Sequence, residues 1–78
     1  MNLTPDQLTY INAAVAKLWH FQDHPRINLG LFDKYSCEGL NIRATECTDG
    51  YRYIVATEGE STIWIKCHSI PQAVAQPA

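Results

Sequence analysis

Residues 43–67, "RATECTDGYRYIVATEGESTIWIKC", decide the fold of this chain. They are rich in Ile, Val, Tyr, Thr and Trp, and "TDGY" and "TEGE" interrupt them. Asp-Gly between β-prone runs is the strongest short hairpin signal. The stretch therefore predicts a three-stranded β-meander with strands at 39–47, 50–57 and 61–68.

Register follows from burial, because a one-residue slip turns every side chain of a strand to the other face. A two-residue first loop, Asp49-Gly50, sets Ala44 opposite Val55 and Glu46 opposite Tyr53. A three-residue second loop, Glu58-Gly59-Glu60, sets Val55 opposite Ile63 and Tyr53 opposite Ile65. One face then reads Leu40, Ile42, Ala44, Tyr51, Tyr53, Val55, Ile63, Ile65 and Cys67. That face is apolar and needs a covering layer.

The covering layer lies upstream and begins at "LTPDQL". Thr4 has an oxygen for the free N–H groups of a first helical turn. Pro5 fits the first helical position, where its missing N–H costs nothing. Gln7 completes a capping box with Thr4, and Leu3 and Leu8 occupy the staple positions. Leu8, Ile11, Val15 and Leu18 then recur at helical spacing, with Ala14 on the same side. The helix should end near His20, ahead of Pro25. In the stretch between helix and sheet, Asn28 can cap one short turn holding Leu29, Leu31, Phe32 and Tyr35. The fold class expected is α+β: one N-terminal amphipathic helix packed on one face of a three-stranded antiparallel β-meander. Residues 1–70 are expected to form a single domain, and 71–78 a flexible C-terminal tail.

The second face of the sheet has no helix to cover it. On the same register it carries Asn41, Arg43, Thr45, Cys47, Arg52, Ile54, Ala56, Thr62, Trp64 and Lys66. Three of the chain's six Lys and Arg gather there, without an acid. Trp and Arg are enriched at binding hot spots. Arg43, Arg52, Ile54, Trp64 and Lys66 are thus the expected partner-binding residues. The bland alternative is a solvated face, with Lys and Arg stems lying over Ile54 and Trp64.

Catalytic and metal chemistry find little support. His20 and His24 share the i, i+4 spacing of a metal pair, but Pro25 follows directly and no third ligand is assured. Cys37, Cys47 and Cys67 are spaced by ten and twenty, without a CxxC knuckle. Cys67 and His68 are consecutive in a strand and point apart, which is unsuited to a nucleophile pair. No phosphate-binding glycine loop is present. The reading is a non-enzyme without metal or cofactor.

Net charge is −2, which predicts no bulk attraction to nucleic acid or to a membrane surface. An odd number of cysteines and no signal-like N-terminus point to a cytoplasmic setting. Together these suggest a small protein-binding module, an inhibitor or adaptor that occludes an acidic protein or nucleoprotein surface. In size and architecture it resembles phage accessory proteins such as anti-CRISPR inhibitors, with no motif shared. The alternatives are a nucleic-acid-binding module using the same basic and aromatic face, and a homodimer.

Overall fold

A computed structural model describes residues 1–72. The expected flexible tail, 71–78, falls almost wholly outside the described residues. The element order is α1 (Pro5–His20), a 3-10 helix η1 (Leu29–Tyr35), β1 (Asn41–Glu46), β2 (Tyr51–Glu58) and β3 (Ser61–Ser69). The strands form one antiparallel sheet in the order β1-β2-β3, and α1 packs on one face of it. The α+β meander expected from the sequence is the fold observed. No helix among the described residues is long and apolar enough to cross a membrane.

Helix α1 starts as its sequence dictates. The Gln7 N–H donates to Thr4 Oγ1 at 3.1 Å, and the Thr4 N–H donates to Gln7 Oε1 at 2.9 Å. This capping box satisfies donors that the first turn would otherwise leave without partners. The buried stripe, however, is Gln7, Ile11, Ala14 and Leu18. Relative to the expected face it is rotated toward Ala14, so Leu8 is 45% exposed. Gln7 is tolerated in the interior because its amide oxygen accepts from the Thr4 N–H and its amide nitrogen donates twice. Nε2 donates to Glu58 Oε2 at 2.9 Å and more weakly to the Glu38 carbonyl at 3.4 Å.

Asn28 caps η1 by accepting from the Gly30 N–H at 3.0 Å, and Phe32 is the side chain that η1 buries. A tight turn at Glu38-Gly39 then feeds β1. Both residues have positive φ, and Cys37 and Leu40 exchange N–H···O=C bonds across the turn. The core is one cluster in which Ile11, Ala14 and Leu18 of α1 and Phe32 of η1 meet Leu40, Ile42, Ala44, Ile54 and Ala56.

The register differs from the expectation at both turns. In the first hairpin the Cys47 N–H donates to the Tyr51 carbonyl and the Gly50 N–H to the Cys47 carbonyl, so Thr48, Asp49 and Gly50 form a three-residue loop. Gly50 takes φ +87, the left-handed position of a G1 bulge. In the second hairpin Glu58 pairs with Ser61 around a two-residue loop, Gly59-Glu60. Gly59 has φ +59 at the first central position, as a type II′ turn requires.

Each turn thus differs by one residue from the expected geometry, and the two differences act on the strands unequally. β2 is turned over once, whereas β3 is turned over twice and keeps its expected faces from Thr62 to Lys66. Beyond that a bulge opposite Arg52 and Tyr53 brings His68 to the helix side, although His68 was expected to point away from Cys67 and the core. Ile54 now pairs with Ala44 and Ile65, and Ala56 with Ile42 and Ile63, all on the helix side. Tyr51, Tyr53 and Val55 move to the other face.

Candidate functional site

No ligand-sized cleft is formed by the described residues, so the candidate site is a surface. It is the sheet face opposite α1. Of the five expected binding residues, Arg43, Trp64 and Lys66 lie on it. Arg52 and Ile54 do not: both are 0% exposed on the helix side, because the three-residue first loop inverts β2.

Alternation along the strands places Tyr51, Tyr53 and Val55 beside those three. Across the middle of the face, Arg43 pairs with Val55, and Val55 with Trp64. Val55 is fully buried yet stands outside the helix-side core cluster. Its cover must therefore come from the side chains around it on this open face. Trp64 is itself 54% exposed, more than any other large apolar residue described. The Tyr53 ring meets the indole edge-on, with centroids 5.9 Å apart and an interplanar angle of 82°. This is a favourable aromatic geometry.

Toward the first turn, Lys66 Nζ sits 3.9 Å from the centroid of the Tyr51 ring. At that distance the ammonium is attracted by the negative ring face. The Tyr53 hydroxyl donates to Asp49 Oδ2, while Asp49 Oδ1 accepts from the Tyr51 N–H at 3.0 Å. The hydrogen bond to Asp49, with burial and the carboxylate charge adding to it, pushes the Tyr53 phenol up to about 12. The same hydroxyl, helped by the Tyr51 N–H and the Lys66 charge, holds the Asp49 carboxyl below its usual range. An acid therefore reaches the rim of a face expected to have none, and the cations on it number two rather than three. What the face loses in charge it gains in aromatic surface.

Arg52 occupies a different site, under the C-terminal end of α1. Its Nε donates to Glu46 Oε2 at 2.9 Å, and Nη1 donates to the Phe21 carbonyl at 3.3 Å. His68 Nε2 lies 2.9 Å from the Leu18 carbonyl, and its ring meets Trp19 edge-on at 5.6 Å. Two side chains of the sheet thus reach carbonyls at the end of α1, adding a second contact to the Leu18 carbonyl, which the Phe21 N–H already meets, and to the Phe21 carbonyl, which the His24 N–H already meets. Cations are also favoured at that end by the helix dipole. Arg52 here is a structural tie between sheet and helix.

The remaining candidates are dispersed. His20 and His24 each meet the Phe21 ring edge-on with centroids 5.3 Å apart, and form no ligand cluster with a third group among the described residues. The three cysteines are free and partly buried. Burial pushes the Cys67 thiol up, as expected for a side chain packed against the core.

Sequence reasoning missed Tyr51 and Tyr53, although two signals were present. Gly-X in "EGE" is type II′ chemistry, which specifies a two-residue loop. A register with Glu46 opposite Arg52 joins opposite charges across strands, which is favourable, whereas the expected register joined Glu46 to a tyrosine. Comparison with known proteins finds no matching family model, no matching curated protein and no matching solved structure.

Proposed function

We propose that this chain is a non-catalytic protein-binding module, an inhibitor or adaptor that occludes a partner through its open sheet face. The observation that carries the reading is the half-exposed Trp64 with the partly buried Tyr53 ring edge-on against it, on a sheet face that also bears Arg43 and Lys66. Trp, Tyr and Arg dominate binding hot spots because each offers large contact area or several hydrogen bonds at modest entropic cost. Such residues held on strands of a packed sheet lose little further freedom when a partner docks. Arg43 and Lys66 favour a partner surface bearing carboxylates. Anti-CRISPR inhibitors of phages, which act by occlusion, exemplify the class proposed.

The test compares capture of a partner by the native chain and by Trp64→Ala, Arg43→Glu and the helix-surface control Asn12→Glu. The reading requires that the first two lose the partner at an unchanged folding midpoint while the control keeps it. Equal capture by all variants would remove the face from the argument.

A second reading, single-stranded nucleic acid, is favoured by one observation. Three aromatic rings, Tyr51, Tyr53 and Trp64, lie on an open sheet, and bases stack on such rings. Its electrostatics are weak. If both Arg43 and Lys66 contact phosphates, log K against log salt has a slope of only about −1.4. Trp64 fluorescence titrated with oligonucleotides at low salt separates the two readings, since quenching with that slope belongs to the second alone.

A further inference from the structure

The two edges of the sheet are treated differently. On β1 the outward backbone groups of Ile42 are closed by one side chain. The Ile42 N–H donates to Ser36 Oγ at 2.8 Å, and Ser36 Oγ donates to the Ile42 carbonyl at 3.2 Å. On β3 no such device is present among the described residues.

Which groups β3 leaves open follows from alternation. Ile42 faces away from β2, so Arg43 and Thr45 bond to Val55 and Tyr53. Ile54, Ala56 and Glu58 are then directed at β3, where Ile65, Ile63 and Ser61 receive them. Thr62, Trp64 and Lys66 remain with N–H and C=O groups aimed out of the sheet. An edge of this kind is a template for another strand.

The layer above that edge is also uncovered. Leu8, Val15 and Trp19 are spaced by seven and four, which puts them on one flank of α1. The contact between Trp19 and His68 fixes that flank over β3. Leu8 and Trp19 are 45% and 43% exposed, and Ile63 and Ile65 beneath them are only partly buried.

We propose that β3 pairs antiparallel with β3 of a second copy of this chain, making a six-stranded sheet across a two-fold axis. A lone strand from another protein would satisfy the edge and leave the Leu8–Trp19 flank in water. A second copy supplies both layers at once. The two-fold that relates antiparallel neighbours is normal to the sheet, so both helices stay on the same side, with their apolar flanks facing each other.

The open groups fix the register. Centring the pair on Trp64 matches Thr62, Trp64 and Lys66 with Lys66, Trp64 and Thr62 of the second copy. β3 carries no acid, and its only Lys or Arg, Lys66, then lies opposite a threonine, so no like charges meet. The two Trp64 side chains stand together at the axis on the open face. The dimer goes beyond the proposed binding function, and neither depends on the other.

Sedimentation equilibrium of the full chain tests it, from about 10 to about 500 µM, since interfaces of this modest size reach micromolar affinity. The expected mass is twice 8.8 kDa at the upper end. Leu8→Lys/Trp19→Lys, which alters the flank and the Trp19 contact with His68 but no outward backbone group of β3, should return the mass to that of one chain with its circular dichroism unchanged. Thr62→Pro, which removes one outward N–H, should weaken the dimer at least tenfold. Amide exchange at Thr62, Trp64 and Lys66 should slow as concentration rises. A single-chain mass at every concentration overturns the proposal, as does a dimer that tolerates both variants or leaves those three amides unprotected.

Discussion

Arg52→Ala should remove most of the stability of this protein, and Arg52→Met should remove much less. The guanidinium is 0% exposed and always charged, and it bonds to Glu46 Oε2 and to the Phe21 carbonyl. Hydrogen bonds to a charged group contribute about 1.5–3 kcal/mol each. The Glu46 bond belongs at the low end, because that carboxylate is 38% exposed and water screens it. Truncation to alanine also leaves a cavity where the stem of a large side chain lay, which adds further loss. Removing one member of a buried charged pair typically costs about 3–5 kcal/mol. Domains of this size have only about 3–5 kcal/mol in total.

Methionine changes the balance. It refills most of the volume and no longer requires a desolvated charge, and Nη2 of the arginine has no partner to lose. Replacing a whole buried ion pair by apolar side chains is often close to neutral, and the one partner left here, Glu46, is 38% exposed and open to hydration. The Phe21 carbonyl keeps the His24 N–H but loses the guanidinium, and Glu46 loses its partner, so a net loss of about 1–2 kcal/mol remains. Urea unfolding followed by circular dichroism reads both variants. With a slope of about 1 kcal/mol/M, Arg52→Met moves the midpoint down by about 1–2 M, and Arg52→Ala leaves little folded protein in water. If Arg52→Ala kept the native midpoint, Arg52 would lie on the surface, and the inversion of β2 would be wrong.

Tyrosine ionisation followed by ultraviolet absorbance should show one of the four tyrosines titrating late, near 12, and Asp49→Asn should return it toward its ordinary 10.0. The signs of the linked stability are opposite for the two partners. Tyr53, raised on folding, stabilises fully below pH 10.0 and loses that contribution as pH climbs through about 12. Asp49, lowered on folding, stabilises above its ordinary 3.8 and loses that contribution as pH falls through the depressed value. At the other edge of the sheet, Ser36→Ala removes both hydrogen bonds to Ile42 and should cost about 1–2 kcal/mol in urea unfolding. The same variant should elute earlier than the native chain in size exclusion at high concentration, because it opens a second edge to pairing.

The helix was legible to the residue because its signals are local. Thr4, Pro5 and Gln7 lie within one turn of each other, and none of their chemistry depends on the sheet. The buried stripe was less so. Spacing alone favours Leu8 over Gln7, and only the distant Glu58 carboxylate and Glu38 carbonyl make a buried glutamine tolerable. The same holds for Arg52, where a cation reads as a surface residue until Glu46 and the Phe21 carbonyl are brought to it.

The sheet shows why parity is harder to infer than strand existence. Val, Ile, Tyr and Thr mark a strand wherever they fall, but its faces depend on each loop being counted correctly. β2 carries bulky residues on both sides, Tyr51, Tyr53 and Val55 against Arg52, Ile54 and Ala56. Hydrophobicity therefore favours Tyr-Tyr-Val as the inner set, by more side-chain volume and one fewer charge. The fold chooses the other set because Gly50 and Gly59 each supply a positive φ where a specific turn needs it. The turns outweigh the pattern here because the losing face is not abandoned to water: Val55 is wholly covered on the open side, beneath neighbours such as Trp64. A small sheet whose second face is this well packed by its own aromatics gives up little apolar burial by inverting its central strand. It gains a rigid aromatic surface, and that surface, more than its charge, is what a partner would meet.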